Sequence, residues 1–152
     1  MTDVHAGDEI TRDHWPPAMV ARSTTAIDNV TSTAFTPGSP VVELTFTAPF
    51  SGRVAVCIQA GIDQDDAGNR LFVTYEMYQG TSSAGTLVQA ARESYGVSSH
   101  GSPASNDLIW GNMSIVHNLT AGATHYVRMM HRTEAGTTND VTFRELIVFP
   151  VP

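Results

Sequence analysis

The chain has 152 residues, of which 41% are hydrophobic and 15% charged, with a formal net charge of −7 and one cysteine. This composition suits a single folded domain with its own core and argues against disorder. The negative charge disfavours nucleic acid and anionic membranes as partners, and a lone cysteine excludes a disulfide framework within the chain.

The N-terminal stretch is polar and acidic and shows no strand alternation. We interpret residues 1–17 as a docking arm, with Ile10 and Trp15 as apolar anchors and Pro16 and Pro17 as a stiff exit. The remaining residues, 18–152, then form one β domain. No signal peptide and no membrane insertion are expected, because the start lacks a basic and then apolar leader and no apolar run approaches a membrane span.

The clearest strand pattern lies in residues 41–58, VVELTFTAPFSGRVAVCI. Apolar and polar side chains alternate on both sides of the turn at residues 48–52, which is typical of half-buried antiparallel strands joined as a hairpin. Gly52 in this turn is expected to have a positive φ. Cys57 in the second strand is expected to be a small buried apolar side chain.

Later segments repeat short strands separated by Gly, Pro, Asn or Asp turns. Residues 70–78 are predicted to form a strand with Leu71, Val73, Tyr75 and Met77 on one face. Two further strands, in residues 107–132, are predicted to form a hairpin, and a closing strand follows. The pattern predicts an all-β fold, a single antiparallel β-sandwich or jelly roll of about 8–10 strands.

A long Gly, Ser and Pro-rich segment, SYGVSSHGSPASN, separates two of the predicted strands. Long loops on a rigid scaffold frequently carry binding residues. We therefore predict an exposed binding loop that includes Tyr95, His100 and Asn106, with Trp110 exposed just after it.

An acidic turn holds the one metal candidate. Asp63, Asp65, Asp66 and Asn69 resemble part of a calcium loop, but Thr74 stands where an EF-hand needs glutamate, which excludes that motif. A solvated acidic turn accounts for the same residues, so no metal and no cofactor are predicted. The chain has no nucleophile elbow, phosphate loop, CxxC or HExxH, and we predict that it is not an enzyme.

Three histidines, His117, His125 and His131, fall in the predicted second hairpin, where we expect surface or interface positions. On a strand, His125 and His131 share one face but lie about 20 Å apart, too far for one metal ion.

Two arginines, Arg128 and Arg132, occupy the opposite face of the same predicted strand. If that face is buried, they need carboxylate partners such as Glu76 or Glu145.

The chain also has more large apolar side chains than one sheet face needs, and closed symmetry is the usual way to cover such a surplus. We therefore expect a homotrimer. The residues concerned are Phe46, Phe72, Met77, Trp110, Met129, Met130, Phe143 and Phe149.

Two segments, TFTAPFSGRVAVCI and the closing VTFRELIVFP, resemble the trimeric jelly rolls of the complement-globular-head and tumour-necrosis-factor-like superfamily. The resemblance implies a trimeric jelly roll. It is carried by Phe46, Thr47, Pro49 and Gly52 in the first segment and by Phe143, Leu146, Phe149 and Pro150 in the second.

The opening HAGDEITRDHW is similar to the openings of many phage and prophage tail, fibre and minor virion proteins, through Ala6, Gly7, Asp8, Ile10 and Trp15. This similarity implies a structural protein of a phage particle, made in the cytoplasm of its bacterial host, whose partners are itself and other capsid or tail proteins.

Three roles follow for such a protein. The first is a tail-fibre or tail-tip protein that binds a glycan or protein receptor on the host surface. The alternatives are a capsid decoration protein that stabilises the head and a free lectin-like module that binds carbohydrate or protein.

A third, competing resemblance concerns LTAGATHY, residues 119–126, which is similar to the tyrosine corner of fibronectin type III domains. It implies that the Tyr126 hydroxyl bonds to nearby backbone.

Overall fold

The structure is a computed structural model that describes residues 17–64, 69–99, 104–135 and 139–152, without the side chains of residue 64 and residues 104–108. The described residues form eleven β-strands and one 3-10 turn at Glu93–Tyr95. The strands are β1 (Met19–Ser23), β2 (Ile27–Val30), β3 (Thr36–Pro37), β4 (Glu43–Thr47), β5 (Val54–Gln64), β6 (Leu71–Gln79), β7 (Thr86–Gln89), β8 (Val97–Ser98), β9 (Ala104–Val116), β10 (Thr124–Thr133) and β11 (Asn139–Pro150).

These strands form two antiparallel sheets that pack face to face. Sheet A has the order β1-β11-β5-β9, with β2 also paired to β11. Sheet B has the order β3-β10-β6-β7, with β4 also paired to β10 and β8 to β6. Because three pairs of short strands each share an edge, the eleven strands occupy eight positions, as in a jelly roll. The predicted all-β sandwich is confirmed.

The core lies between the two sheets and follows the predicted alternation. Leu71, Val73, Tyr75 and Met77 of β6 are each no more than 1% exposed, which confirms their common face. Cys57 of β5 differs from the prediction: it is half-buried, on the outer face of sheet A. Its position follows from strand alternation, because its neighbour Ile58 takes the place in the core.

Both turns predicted to close hairpins instead connect strands of different sheets. β4 pairs with β10 in sheet B, whereas β5 pairs with β9 and β11 in sheet A. Similarly, β9 lies in sheet A and β10 in sheet B. The predicted hairpins are therefore wrong. Alternation shows which face of a strand is buried, but it is the same whether the next strand pairs with it or crosses to the facing sheet.

The two crossover turns, residues 48–52 and 119–123, are hydrogen-bonded to each other, and we call this pair the turn clasp. It closes one end of the sandwich with backbone hydrogen bonds between turns that are far apart in the sequence. The amides of Ala48, Gly122 and Leu119 donate to the carbonyls of Ala123, Ala48 and Gly52, at 2.9, 3.0 and 3.0 Å.

The residue that resembles a tyrosine corner follows the second crossover turn. The hydroxyl of Tyr126 donates to the carboxylate of Glu43 on β4, and not to nearby backbone. The fibronectin-like interpretation is therefore wrong, and Tyr126 links two strands of sheet B.

One end of the core is polar. Arg144 of β11 is 1% exposed, and its guanidinium donates to the carbonyls of Pro40 at 2.9 Å and Thr25 at 3.3 Å. These bonds tie two connecting segments to the centre of sheet A. Burial lowers the pKa of Arg144.

Two of the three histidines are buried, which corrects the predicted surface positions. His125 is stacked on Phe46, with ring centroids 5.5 Å apart. Burial and, secondarily, the charge of Arg144 lower the pKa of His131 to about 4. His117 is exposed, as expected.

We predict that Gly52→Val lowers the free energy of unfolding by roughly 1–3 kcal/mol. Gly52 has a φ of 64°, and a Cβ there would lie 2.7 Å from the carbonyl oxygen of Leu119. Gly122 is the matched control, because it also has a positive φ, of 75°, but open space around its Cβ position. Chemical denaturation should show a larger loss for Gly52→Val than for Gly122→Val, and equal losses would contradict the steric role of Leu119.

A second prediction concerns acid stability. His131 takes up a proton near pH 6.5 in the unfolded chain but near pH 4 in the folded one. Its contribution is therefore complete above pH 6.5 and is lost as the pH falls to 4, in total about 3 kcal/mol. His131→Leu should flatten stability over this window relative to His117→Gln, the control substitution at an exposed histidine. Denaturation curves measured from pH 7 to pH 4 test this, and the same slope in both variants would refute it.

Candidate functional site

The predicted exposed binding loop is shorter in the structure than in the prediction. Tyr95 lies in the 3-10 turn, packs against the core and has its ring 6.3 Å from that of Tyr75. Asn106 and Trp110 belong to β9, and Trp110 is 41% exposed there. His100 lies outside the described residues. The 3-10 turn, β8 and the first three residues of β9 thus take up part of a segment whose composition indicated a loop.

Of the predicted docking arm, residues 1–17, the structure describes only the last residue, Pro17. Pro17 lines an apolar cleft of about 310 Å³ between β1 and β4, together with Phe46, Val54 and Val148. Ile10, Trp15 and Pro16 lie outside the described residues, so the role of the arm stays a prediction.

In the candidate calcium loop, Asp63 lies near the C-terminal end of β5 and Asn69 lies just before β6. Asp65 and Asp66 fall outside the described residues. Among the described residues, no three His, Cys, Asp or Glu side chains are grouped in a way that could hold a metal ion. That part of the chain also has no helix long and apolar enough to cross a membrane.

A broad apolar surface covers the outer side of sheet A, and we call it the apolar face. The face spans four strands that are spaced about 4.8 Å apart, and seven residues along each strand with a rise of about 3.4 Å per residue. Its projected area is therefore roughly 450 Å². Apolar patches of about this size are often functional on monomeric proteins. The exposed residues of the apolar face are Val20 of β1 and Ile109, Met113 and Ile115 of β9, and its half-exposed residues are Cys57 of β5 and Phe143, Ile147 and Phe149 of β11.

One polar row crosses the apolar face. Arg22 of β1 lies opposite Glu145 of β11, at 3.9 Å, and also covers the ring of Phe143. The two charges cancel, so the described side chains of this face carry no net charge although the whole chain carries −7.

The edge of the apolar face is formed by β9, which has 13 residues. The other three sheet edges within the described residues are built from pairs of short strands of two to five residues. From Ile109 to Val116 the outer edge carries no charged residue and no proline, the usual protections of an edge strand. β9 is therefore open to pairing with another chain.

The outer side of sheet B has a different chemistry. Six residues there form a polar cluster that we call the tyrosine face. Cross-strand neighbours place them in two rows: Thr45, Tyr126 and Tyr78 in one, and Glu43, Arg128 and Glu76 in the other.

Hydrogen bonds hold the tyrosine face in one arrangement. Arg128 donates from Nε and Nη2 to Oε1 of Glu76, at 2.7 and 2.6 Å, which confirms the predicted partner. The rings of Tyr78 and Tyr126 are 6.3 Å apart and inclined by 47°. Arg132, the other predicted arginine, pairs instead with Glu93, and Glu145 pairs with Arg22.

The tyrosine hydroxyls stay protonated at neutral pH. Burial and the neighbouring Glu43 raise the pKa of Tyr126 to about 12. Burial, followed by Glu76, also raises the pKa of Tyr78. For Arg128, burial acts to lower the pKa, but the hydrogen bond and charge of Glu76 outweigh it. The face therefore offers hydroxyl donors, a permanent cation and carboxylate acceptors side by side.

Comparison with known proteins places the fold but not a family. No family model matches the chain, and no curated protein matches it. Among solved structures, the VP2 subviral particle of infectious bursal disease virus is 16% identical, with a TM-score of 0.50 over 90% of this chain and 33% of that chain. A family 35 carbohydrate-binding module from Clostridium thermocellum is 16% identical, with a TM-score of 0.35 over 88% of this chain and 92% of that chain.

The likeness to VP2 shows a shared fold. This chain spans about a third of the viral chain, so the comparison concerns one β-sandwich and not the whole viral protein. A jelly-roll-like β-sandwich is thus supported by topology and by comparison.

We predict that Glu76→Gln lowers the free energy of unfolding by roughly 3 kcal/mol, because it leaves the largely buried charge of Arg128 without its partner. The double variant Glu76→Met/Arg128→Met should recover much of that loss. As a control, Glu93→Gln should cost less than about 1 kcal/mol, because Glu93 is half-exposed and Arg132 keeps the carbonyls of Thr33 and Thr133 as acceptors. Denaturant titration of the variants tests this, and equal effects at Glu76 and Glu93 would contradict it.

Proposed function

We propose that this protein is a non-enzymatic structural component of a virus particle and that it works as a homotrimer. The observation that carries the proposal is the apolar face. A monomer in water would leave this largely apolar surface and the long β9 edge exposed, whereas association with other copies would cover both. The viral jelly-roll fold supports the same proposal.

A second copy of this chain is the occupant that best fits the apolar face. Copies with a charge of −7 repel each other over most of their surfaces. The apolar face avoids this repulsion, because the described charges on it, Arg22 and Glu145, balance and can pair across an interface. Closed symmetry would bury the face in every copy.

The particle we propose is a bacteriophage, on the strength of the N-terminal resemblance. Within it, the first role is that of a tail-fibre or tail-tip protein that binds a host receptor, with residues 1–17 as the attachment to other virion proteins. Capsid decoration is the second role, since it needs the same attachment and assembly. A free lectin-like module would need neither.

Immunogold labelling of intact particles separates these roles. Label at a few copies on the tail would support the tail-fibre role, and label at many copies over the head would support decoration. Particles that contain no copy of the protein would contradict both and leave the free module.

We predict that the purified protein is trimeric at micromolar concentration and that Met113→Glu converts it to a monomer. Met113 is 59% exposed on β9, at the edge of the apolar face that association would cover, where three buried carboxylates would lack partners. Leu87→Glu is the control, because Leu87 is 52% exposed but lies on sheet B. Light scattering measures the mass. A monomeric wild-type protein, or a trimer in both variants, would refute this mode of assembly.

A further inference from the structure

We propose that the tyrosine face of sheet B binds a neutral saccharide. This assigns a binding site and a ligand class that the structural role does not require. Its use in host recognition rests on the proposed function, but the binding itself does not.

The first argument is that folding does not explain the cluster. Outer sheet faces are ordinarily covered by solvated side chains, yet Glu76 and Tyr126 are each less than 9% exposed in the tyrosine face. A buried ion pair such as Arg128 and Glu76 contributes little net stability relative to apolar residues of the same size. What the pair does provide is a fixed guanidinium and fixed hydroxyls at the centre of an otherwise accessible face.

The second argument is the match of hydrogen-bonding groups. A sugar hydroxyl both donates and accepts, so its site needs donors and acceptors close together. Arg128 can only donate, Glu43 can only accept, and the protonated hydroxyl of Tyr78 can do both, whereas that of Tyr126 donates to Glu43 and can only accept from a ligand. Glu43 is exposed and Tyr78 half-exposed, so these two groups are reachable from solvent, while the hydroxyl of the buried Tyr126 holds the Glu43 carboxylate in place.

The third argument concerns shape. The two rows of the face are separated by about 7 Å along the strands and extend over about 14 Å across four strands. Leu87 of β7 lies opposite Tyr78 and is exposed, so it continues the first row with an apolar side chain. The ring of Tyr78 and this leucine offer apolar contact for the C–H side of a sugar ring. The dimensions suit one or two sugar units.

Charge selects among saccharides. Glu43 and Glu76 outnumber Arg128, so the face carries a net charge of −1 within a chain of −7. An anionic sugar would meet like charge here, and Arg128 is already paired with Glu76. The ligand we infer is therefore an uncharged hexose, deoxyhexose or N-acetylhexosamine unit of a cell-surface glycan.

The test uses the full-length protein and a fixed set of probes. Saturation-transfer NMR would be recorded with the methyl glycosides of glucose, galactose, mannose, rhamnose and N-acetylglucosamine, and with sialyllactose as the anionic probe. At least one neutral glycoside should give a saturable signal that exceeds that of sialyllactose. The absence of a signal from every neutral probe, or an equal signal from sialyllactose, would overturn the proposal.

Three variants locate the binding. Tyr126→Phe removes one hydroxyl and leaves the exposed Glu43 solvated, and Tyr78→Ala removes one ring. Each should weaken binding about tenfold, as expected for the loss of one hydrogen bond or one ring contact. Tyr95→Phe is the matched control, because Tyr95 packs on the core away from this face, and it should bind like the wild type.

Thermal unfolding of each variant would verify that it is folded. Unchanged binding by both Tyr126→Phe and Tyr78→Ala, or a loss confined to Tyr95→Phe, would place the sugar elsewhere and overturn the assignment. Light scattering on the same samples keeps the two proposals apart. A trimer that binds no neutral sugar contradicts this inference alone, and a monomer that binds one contradicts only the proposed assembly.

Discussion

The turn clasp is the constraint on which the rest of the sandwich depends. Its backbone hydrogen bonds join the turns at residues 48–52 and 119–123, and each turn carries the chain from one sheet to the other. The clasp therefore fixes where β4 and β10 lie relative to β5 and β9. Gly52 is required at its centre, because a left-handed backbone conformation brings its carbonyl to the amide of Leu119 and leaves no room for a side chain.

The sequence predicted the faces of the strands but not their partners. Alternation in β6 places Leu71, Val73, Tyr75 and Met77 in the core without knowledge of any neighbour, because burial of one face is a local property of a strand. Pairing is not local. A turn such as that at residues 48–52 fits a hairpin and a crossover equally well, and only the packing of two sheets decides between them. Composition likewise predicted a loop where β9 begins, because the pairing of β9 with β5 is not a local property of the sequence.

The candidate surfaces, too, were predicted from the sequence only in part. The need of Arg128 for Glu76 follows from charge and strand position, and the structure confirms it. The tyrosine face as a whole was missed, because Glu43 and Tyr126 are distant in sequence and meet only through the register of β4 and β10. Of the eight large apolar residues that the sequence singled out, Phe143 and Phe149 lie on the apolar face, whereas Phe46, Phe72, Met77, Met129 and Met130 are buried within the chain. The apolar face as a whole depends on the order of four strands, which local patterns do not contain.

The outer face of sheet A is largely apolar and that of sheet B is polar, so the two faces favour different kinds of interaction. Burial of apolar area is strong but non-directional, so the apolar face alone would favour association without setting a register. The β9 edge adds what is missing, since its main-chain groups pair in one direction and at fixed spacing. Sheet B has short edges and a polar outer face, which disfavour such pairing. A chain with this asymmetry can assemble through sheet A while the hydrogen-bonding groups of sheet B stay accessible, because the two surfaces lie on opposite sides of one sandwich.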